Sequence, residues 1–528
     1  MFDILLRGGT VIDGTGRAAF PADVAIEKGS IVAVGHLPDA AARQTMDCTG
    51  LTITPGFIDI HRHADGAAFR PGFGAWELCQ GLTTIVNGNC GLSAAPFGQA
   101  NAAAIRAYLQ PITGTLPAAL DSGSLAGYFR SLPPLPVNMG MLVGAGTLRA
   151  DAAGYELTEL NDGHFSAIHR AMEKALADGA LGVSLGLGYA PECFYTTSDL
   201  IRALQPVAGT KIPVTVHMRQ EGSGVVASVQ EMITVARALG CPVHISHLKA
   251  MGRDNWGSKI PQVLSLLEQA RSEGLAVDCD VYPYTAGSTQ LLHILPPDYL
   301  TGGMEAVVAR LRDKETRKEL AARIESGAGF DDIAKLAGWD GIYLTSLHCP
   351  EDHPYQGKNL MEIAALMGQD PLTSCCELLV REHGQITMID FMASEEDICA
   401  ILRSPLSCVI SDATYPTEGQ LHPRVCGNVT HLLEHFVREK GALSWESAVH
   451  KLTEKPAEVL GLKGKGRIAA GYDADVCVFA PEALHERAGY TDPRELSAGM
   501  THVLVGGVFA IRDGALTGET GGKIIRAS

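Results

Sequence analysis

The chain has 528 residues, of which 46% are hydrophobic and 19% charged, a composition typical of soluble globular proteins. Its length is too great for one ordinary core and predicts one large domain with a smaller one. Lys and Arg number 42 against 59 Asp and Glu, a formal net charge of −17, which argues against nucleic acid and anionic membranes as partners.

The N-terminus and the cysteine content predict a cytoplasmic protein. Residues 1–9 lack the charged start and the long apolar segment of a signal peptide. No uninterrupted apolar stretch reaches the roughly 20 residues of a membrane helix. Thirteen scattered cysteines without a CxxC pair suit a reducing compartment better than a disulfide framework.

Both ends of the chain are rich in short predicted strands. The first fifty residues alternate strands with turns such as Gly8-Gly9 and Lys28-Gly29. Residues 464–479 indicate a turn followed by a strand, and residues 502–511 a hairpin that bends at Gly506-Gly507. We therefore expect one small β-sandwich domain built from residues 1–54 and 456–528.

The middle of the chain alternates apolar, strand-like runs with helix-like stretches, which favours a parallel sheet. There are eight such runs: Phe57–Ile60, Thr83–Val86, Val137–Val143, Leu181–Leu187, Val214–His217, Val243–His247, Ala276–Val281 and Cys408–Ser411. Eight units predict an α/β fold, a (β/α)8 TIM-type barrel over residues 55–455. Residues of about 285–405 are too many for one crossover and predict an insertion over the barrel mouth.

The first run ends in two histidines, His61 and His63. Side chains at i and i+2 of a strand point the same way, so two imidazoles would face one side at a strand end. Such a pair suits a divalent metal, although two unrelated surface histidines would give the same pattern.

Other strand ends carry metal-binding side chains as well. Cys90 follows the second run, His217 ends the fifth, His247 ends the sixth and Asp412 follows the eighth. Each alone is more often an ordinary buried or surface residue. A barrel directs all of them toward its centre, however, and together they supply the N, S and O donors that zinc prefers. The sequence therefore predicts a metal site, with zinc as the metal.

These residues resemble those of a known family. The His-x-His pair, the single histidines on strands five and six and the aspartate on strand eight are similar to the amidohydrolase superfamily of metal-dependent hydrolases. Within it, the chain most resembles the N-acyl-D-amino-acid deacylases, or D-aminoacylases. The matching segments are Asn89-Cys90-Gly91, His217-Met-Arg-Gln-Glu-Gly222, Ser246-His-Leu-Lys249, Asp280-Val-Tyr-Pro-Tyr-Thr-Ala-Gly-Ser288 and His422-Pro-Arg424.

The resemblance implies a set of zinc ligands. Hydantoinases and similar amidohydrolases bridge two metals with a carboxylated lysine on strand four, and residues 181–188 contain no lysine. The resemblance offers Cys90 as the substitute. It implies that Cys90, His217 and His247 hold one tight zinc, with His61 and His63 at a second, weaker or empty position.

Strand-end position and the resemblance together predict roles for residues around the metal. Asp412 is expected to be the general base that takes a proton from water and returns it to the leaving amine. Lys249 faces the same side as His247 by strand periodicity and is expected to bind a substrate carboxylate, with Tyr282 and Ser288 added by resemblance. Arg219 follows His217 by two residues, as Lys249 follows His247. It is expected either to bind a second carboxylate of the substrate or to form a structural ion pair.

Four further histidines lie outside this strand-end pattern and are expected on the surface or in a lid: His348, His353, His383 and His422.

The favoured function is zinc-dependent hydrolysis of N-acyl-D-amino acids to a D-amino acid and a carboxylate. Two alternatives remain within the same enzyme class, a D-residue dipeptidase and a cyclic-amide hydrolase. A catalytically dead scaffold relative is the alternative from another class, but every expected ligand position is filled. The sequence leaves open the side chain and the acyl group of the substrate, and also the oligomeric state. The preference for D- over L-amino acids is implied by the resemblance alone.

Overall fold

The structure is a computed structural model that describes residues 1–327 and 329–527. The chain starts with five strands that form part of a small β domain: β1 (Phe2–Val11), β2 (Phe20–Glu27), β3 (Ser30–Gly35), β4 (Ala42–Asp47) and β5 (Thr52–Pro55). β1 pairs antiparallel with β2 and parallel with both β4 and β5. The antiparallel pairing of β1 with β2 shifts its register between Leu6 and Gly9, which is a local irregularity of the kind that a β-bulge produces.

Short parallel strands then follow one another around a barrel: β6 (Phe57–Asp59), β7 (Leu82–Asn87), β8 (Asn138–Met141), β9 (Val143–Gly144), β10 (Val183–Gly186), β11 (Val214–His217), β12 (Val243–Ile245) and β13 (Val277–Val281). β8 and β9 are separated by one residue and act as the third barrel strand, pairing with β7 and β10 respectively. Nearly every residue of these strands is buried, which is why the sequence shows continuous apolar runs rather than alternation.

Helices connect these strands on the outside: α1 (Ala75–Cys79), α2 (Ala102–Thr113), α3 (Leu125–Ser131), α4 (Ala145–Ala153), α5 (Asp162–Ala177), α6 (Thr197–Ala203), α7 (Val225–Leu239) and α8 (Lys259–Ser272). Their ends follow local signals. The Asn161 side chain caps α5 by accepting from the His164 N–H, and α7 ends at Gly240 in the left-handed conformation.

An insertion follows β13. It contains strands β14 (Ala286–Gln290), β15 (Ile342–Ser346) and β16 (Thr387–Phe391), and helices α9 (Gly303–Arg312), α10 (Lys314–Ser326), α11 (Ile333–Ala337), α12 (Leu360–Met367) and α13 (Pro371–Arg381). The strands form an antiparallel sheet in the order β14-β16-β15. The insertion has its own hydrophobic core, which includes Leu291, Leu344 and Met388.

The barrel closes with the eighth strand. After α14 (Glu395–Arg403), which packs on α8, comes β17 (Ser407–Val409), which pairs with β13. Just beyond it, the Asp412 N–H donates to the His61 carbonyl and the His63 N–H to the Ala413 carbonyl, both at 2.9 Å. The cycle of eight is therefore complete. All eight predicted strands are present, and the predicted barrel is confirmed.

The remaining helices are α15 (Arg424–His431), continued by a π-helix at Leu432–Glu439, then α16 (Trp445–Leu452) and α17 (Glu454–Val459). None of the described helices has the length and hydropathy needed to span a membrane.

The C-terminal strands complete the small domain: β18 (Val476–Phe479), β19 (Met500–Val505), β20 (Val508–Arg512) and β21 (Ala515–Leu516). β18 pairs with β5, so both ends of the chain build one small β domain, as predicted, and its strands form one nine-stranded sheet. Val476 and Val478 face the core of the small domain, whereas Cys477 and Phe479 face the barrel core. Residues 522–527 leave this domain again and hydrogen-bond along β8.

Candidate metal centre

Six side chains from five barrel strands meet at the C-terminal ends of those strands. They are His61 and His63 after β6, Cys90 after β7, His217 at the end of β11, His247 after β12 and Asp412 after β17. All six are buried, with exposed fractions between 1% and 9%. The sequence had placed each at a strand end, and the structure brings all of them together.

The pair at the end of β6 shows the alternation expected of i and i+2 positions. The rings of His61 and His63 both turn their Nε2 toward Asp412 Oδ1, and their centroids are 5.5 Å apart. The intervening Arg62 is fully buried and forms ion pairs with Asp59 at 3.2 Å and Glu77 at 2.9 Å. These ion pairs fix the backbone between the two histidines.

The donor atoms are spaced as metal ligands are. Cys90 Sγ lies 3.2 Å from His61 Nε2 and 3.6 Å from His247 Nε2. His217 Nδ1 lies 3.1 Å from His247 Nε2. Asp412 Oδ1 lies 3.4 Å from His61 Nε2 and 3.2 Å from His63 Nε2. Ligands of a tetrahedral zinc ion lie about 3.3–3.8 Å apart, so the residues present fit this metal.

Backbone strain is concentrated at this cluster. Cys90, His247 and Asp412 have φ values of +53°, +36° and +52°. They are three of the six non-glycine residues with positive φ in the described part of the chain. Such conformations cost of order 1–3 kcal/mol each and persist where the surrounding structure enforces them, which is typical of functional sites.

The Cys90 thiol is tuned by its neighbours. Burial raises the pKa of this thiol, but the charge on His61 and hydrogen bonds from the surrounding imidazoles outweigh burial and hold the pKa well below its ordinary value. The thiolate is the form of cysteine that binds metals.

Asp412 is held as a carboxylate. Burial raises the pKa of its carboxyl, but the Arg424 guanidinium, 3.0 Å away, and hydrogen bonds from His61 and His63 bring the pKa well below its usual range. It therefore faces the cluster as an acceptor of protons and hydrogen bonds.

Carboxylates behind the cluster orient the histidines. Glu221 lies 2.8 Å from His247 Nδ1 and accepts from Lys249 Nζ at 2.8 Å. Asp280, at the end of β13, accepts from His244 Nε2 at 2.9 Å and from the backbone N–H of His247. The Glu221 contact fixes the tautomer and the angle of the His247 imidazole, whereas Asp280 holds His247 through its backbone.

Three of the four predicted substrate-binding residues line the cavity. Lys249 is 7% exposed, and its Nζ lies 5.6 Å from the Tyr282 ring centroid. Ser288 is on β14, which crosses the barrel mouth. The fourth, Arg219, lies elsewhere: it pairs with Glu231 at 3.1 Å and donates to the Cys193 and Tyr195 carbonyls. β11 ends at His217, so strand alternation does not extend to residue 219.

The sequence reasoning missed Arg424. This residue is fully buried, its Cζ is 4.7 Å from the Tyr282 ring centroid, and its Nε and Nη1 have no hydrogen-bond partner among the described residues. His422, expected on the surface or in a lid, is 1% exposed, and its Nδ1 accepts from the Arg424 N–H at 3.0 Å. The sequence did carry a signal for both residues, because His422-Pro-Arg424 matches the deacylase family. This segment lies outside the pattern of polar residues at barrel strand ends, so the pattern did not select it.

The cavity has two lobes that meet at Asp412, Tyr189, Ser288 and Thr289. The lysine lobe, of about 30 Å³, is lined by Lys249, Tyr282, Asp390, Met251 and Met392. The cysteine lobe, of about 20 Å³, is lined by Cys90, His63, Leu92, Ile112 and Thr414. Each holds about one water molecule. Lys249 therefore lies in the lobe on one side of Asp412, whereas the cysteine lobe on the other side contains Leu92 and Ile112.

A closed barrel with convergent S, N and O donors at its strand ends belongs to the class of metal-dependent barrel enzymes. The amidohydrolase family profile matches residues 44–511. The chain belongs to the amidohydrolase family, as the resemblance predicted.

Individual relatives are similar over their whole length. A D-aminoacylase of Alcaligenes xylosoxydans xylosoxydans is 33% identical, covering 99% of this chain and 97% of the relative. An N-acyl-D-glutamate deacylase of the same organism is 34% identical, with 99% and 96% covered. The crystal structure of an N-acyl-D-glutamate deacylase from Bordetella bronchiseptica, complexed with zinc and a phosphonate inhibitor, has a TM-score of 0.83 and 30% identity and covers both chains fully.

Proposed function

We propose that this protein is a zinc-dependent deacylase that hydrolyses the amide bond of N-acyl-D-amino acids to a D-amino acid and a carboxylate. The observation that carries the proposal is the convergence of two cations beside Asp412: Arg424 lies 3.0 Å from its carboxylate, and Arg424 and Lys249 both lie within 5.6 Å of the Tyr282 ring centroid. Full-length similarity to a D-aminoacylase and to an N-acyl-D-glutamate deacylase supports the substrate class.

Cys90, His217 and His247 would hold one tightly bound zinc, and His61 and His63 would contribute to a second, weaker position. The Bordetella relative was solved with zinc. At the C-terminal end of β10, the fourth barrel strand, a side chain at Gly186 has no room, because its Cβ would overlap the Cys90 carbonyl oxygen. Zinc bound here would supply Lewis acidity, which polarises a carbonyl and lowers the pKa of water.

Asp412 is the proton carrier in this proposal. Its Oδ1 accepts the proton of the attacking water and returns it to the departing amine. Arg424 supports this role by keeping the carboxyl ionised before the proton arrives.

The lysine lobe binds the substrate carboxylate. Arg424 has two buried donors without partners, Nε and Nη1, and charge-assisted hydrogen bonds to a carboxylate would satisfy them. Lys249 and the Tyr282 hydroxyl complete the anchor, and Ser288 borders both lobes. This anchor fixes the scissile amide beside Asp412.

We further propose that the protein works in the cytoplasm on small molecules. The support is its cysteine usage and its excess of acidic residues, which disfavours nucleic acid and anionic membranes as partners.

A hydrolysis screen tests the proposed function. N-acetyl and N-formyl derivatives of D- and L-amino acids are incubated with the zinc-loaded protein, and the released amine is measured. We expect turnover of D-derivatives, reduced about 10²–10⁴-fold in Asp412→Asn with zinc content unchanged. Equal turnover of L-derivatives, or no turnover of any derivative, would contradict the proposal.

A further inference from the structure

A separate cavity of about 310 Å³ lies between α2 and the insertion, large enough for a small-molecule ligand. We call it the α2 chamber. Its inner wall is apolar, with Ala107 and Pro111 from α2 and Leu292, Leu300 and Val307 from the insertion. Its polar residues include Glu305 and His383, whose side chains are 89% and 49% exposed. The chamber is therefore apolar inside and polar at its solvent opening.

The chamber adjoins the cysteine lobe. Tyr108 and Gln290 line both cavities, and Gln290 Nε2 donates to the Tyr108 carbonyl at 2.9 Å. One side-chain hydrogen bond therefore lies at the boundary between the metal cluster and the chamber.

Successive residues of β14 line the three cavities in order. Gly287 lines the lysine lobe, Ser288 and Thr289 line both lobes, and Gln290 lines the cysteine lobe and the chamber. A strand advances about 3.3 Å per residue. A substrate with its carboxylate in the lysine lobe and its amide beside Asp412 would then direct its acyl group toward the chamber.

We infer that the α2 chamber is an acyl-chain subsite, and that the preferred substrates are N-acyl-D-amino acids with a medium-length unbranched aliphatic acyl group rather than N-acetyl derivatives. This inference rests on the proposed function. The chamber offers no cationic side chain deep inside that would bind a second carboxylate, so its inner wall favours a hydrocarbon. Each buried methylene is worth about fourfold in binding.

The test is an acyl-length series on the zinc-loaded, full-length protein. kcat/KM is measured for the acetyl, butanoyl, hexanoyl and octanoyl derivatives of the D-amino acid that is hydrolysed fastest. We expect kcat/KM to rise at least tenfold from acetyl to hexanoyl. Octanoate should also inhibit at least tenfold more tightly than acetate, which is a measurement independent of turnover.

Two tryptophan substitutions on α2 locate the effect. Ala107→Trp fills the chamber and should lower the hexanoyl-to-acetyl ratio of kcat/KM at least tenfold. Ala103→Trp is the matched control, because Ala103 is exposed on the same helix and does not line the chamber; its ratio should stay within twofold of the parent value.

Three results would overturn the inference. The first is a value of kcat/KM that stays constant or decreases from the acetyl to the hexanoyl derivative, together with octanoate inhibition that is no tighter than acetate inhibition. The second is an Ala107→Trp ratio equal to that of Ala103→Trp. Either result leaves the proposed function standing if N-acetyl-D-amino acids are hydrolysed. The third is hydrolysis of no member of the series, which would reject the proposed function and the subsite together.

Discussion

The cysteine after β7 distinguishes this metal centre, and it offers the most direct test at the residue scale. Cys90 Sγ is within 3.6 Å of nitrogens from two other strands, so Cys90→Ser should lose the tight zinc, which metal analysis would measure. Cys79→Ser is the control, since Cys79 is a half-buried thiol at the end of α1. Zinc content unchanged in Cys90→Ser would contradict this assignment.

Glu192, a buried residue beside the loop that follows β7 and carries Cys90, predicts a pH-dependent stability. Burial raises the pKa of Glu192 to about 8, above its ordinary value of 4.5. Between pH 4.5 and 8 the folded state therefore holds a proton that the unfolded state has lost, and stability falls as the pH rises through this window, by at most about 1.4 kcal/mol per pH unit.

Glu192→Gln should remove that pH dependence. The free energy of unfolding of the variant, relative to the parent, should increase from pH 5 to pH 8 in urea titrations. Glu173→Gln, an exposed substitution on α5, controls for general charge effects. Parallel pH profiles for the parent and Glu192→Gln would refute the role of burial at this position.

At the scale of elements, the loop after β7 depends on close contacts. A Cβ at Gly91, which has φ +72°, would overlap Glu192 Oε2. Gly209 has nearly the same φ, +69°, but open space around it. Gly209→Ala should cost about 1 kcal/mol for its conformation alone, whereas Gly91→Ala should cost more and weaken zinc binding.

Urea unfolding and metal analysis of both variants would measure these two effects. Equal destabilisation of Gly91→Ala and Gly209→Ala, with zinc retained in both, would show that the contact with Glu192 does not hold the Cys90 loop.

Barrel strands were predictable because they are buried on both faces and therefore appear as continuous apolar runs. Their ends located the ligands, since a polar residue that closes such a run must face the barrel mouth. Arg219 shows the limit: alternation assumes that the strand continues, and β11 stops two residues earlier. Arg424 was missed because it lies on α15, beyond the strand ends.

At the scale of the whole molecule, the joining of both chain ends in one small β domain was predictable from their turn-rich strands. The return of residues 522–527 to the barrel was not, because this short segment carries no periodic pattern. The Met139 N–H donates to the Lys523 carbonyl at 2.9 Å, and the Ile525 N–H to the Met139 carbonyl at 2.8 Å. The segment therefore supplies partners to β8.

Deletion of residues 522–528 should destabilise the barrel. Four backbone hydrogen bonds are lost, each worth about 1 kcal/mol, so the free energy of unfolding should fall by about 4 kcal/mol. Arg526→Ala is the control: it keeps the backbone bonds and removes the side-chain contacts, which are a hydrogen bond to the Asp178 carbonyl at 2.5 Å and the approach to the Phe129 ring, 4.5 Å from its centroid. Equal unfolding midpoints for the deletion and the parent would contradict a structural role for this segment.

The central claim is a deacylase whose activity depends on zinc held at the barrel mouth. Its most direct test is a zinc titration of the metal-free protein during hydrolysis of an N-acyl-D-amino acid. We expect activity to rise from zero and reach its maximum near one zinc per chain, with no rise in Cys90→Ser. Full activity in the metal-free protein, or none after zinc is bound, would contradict it.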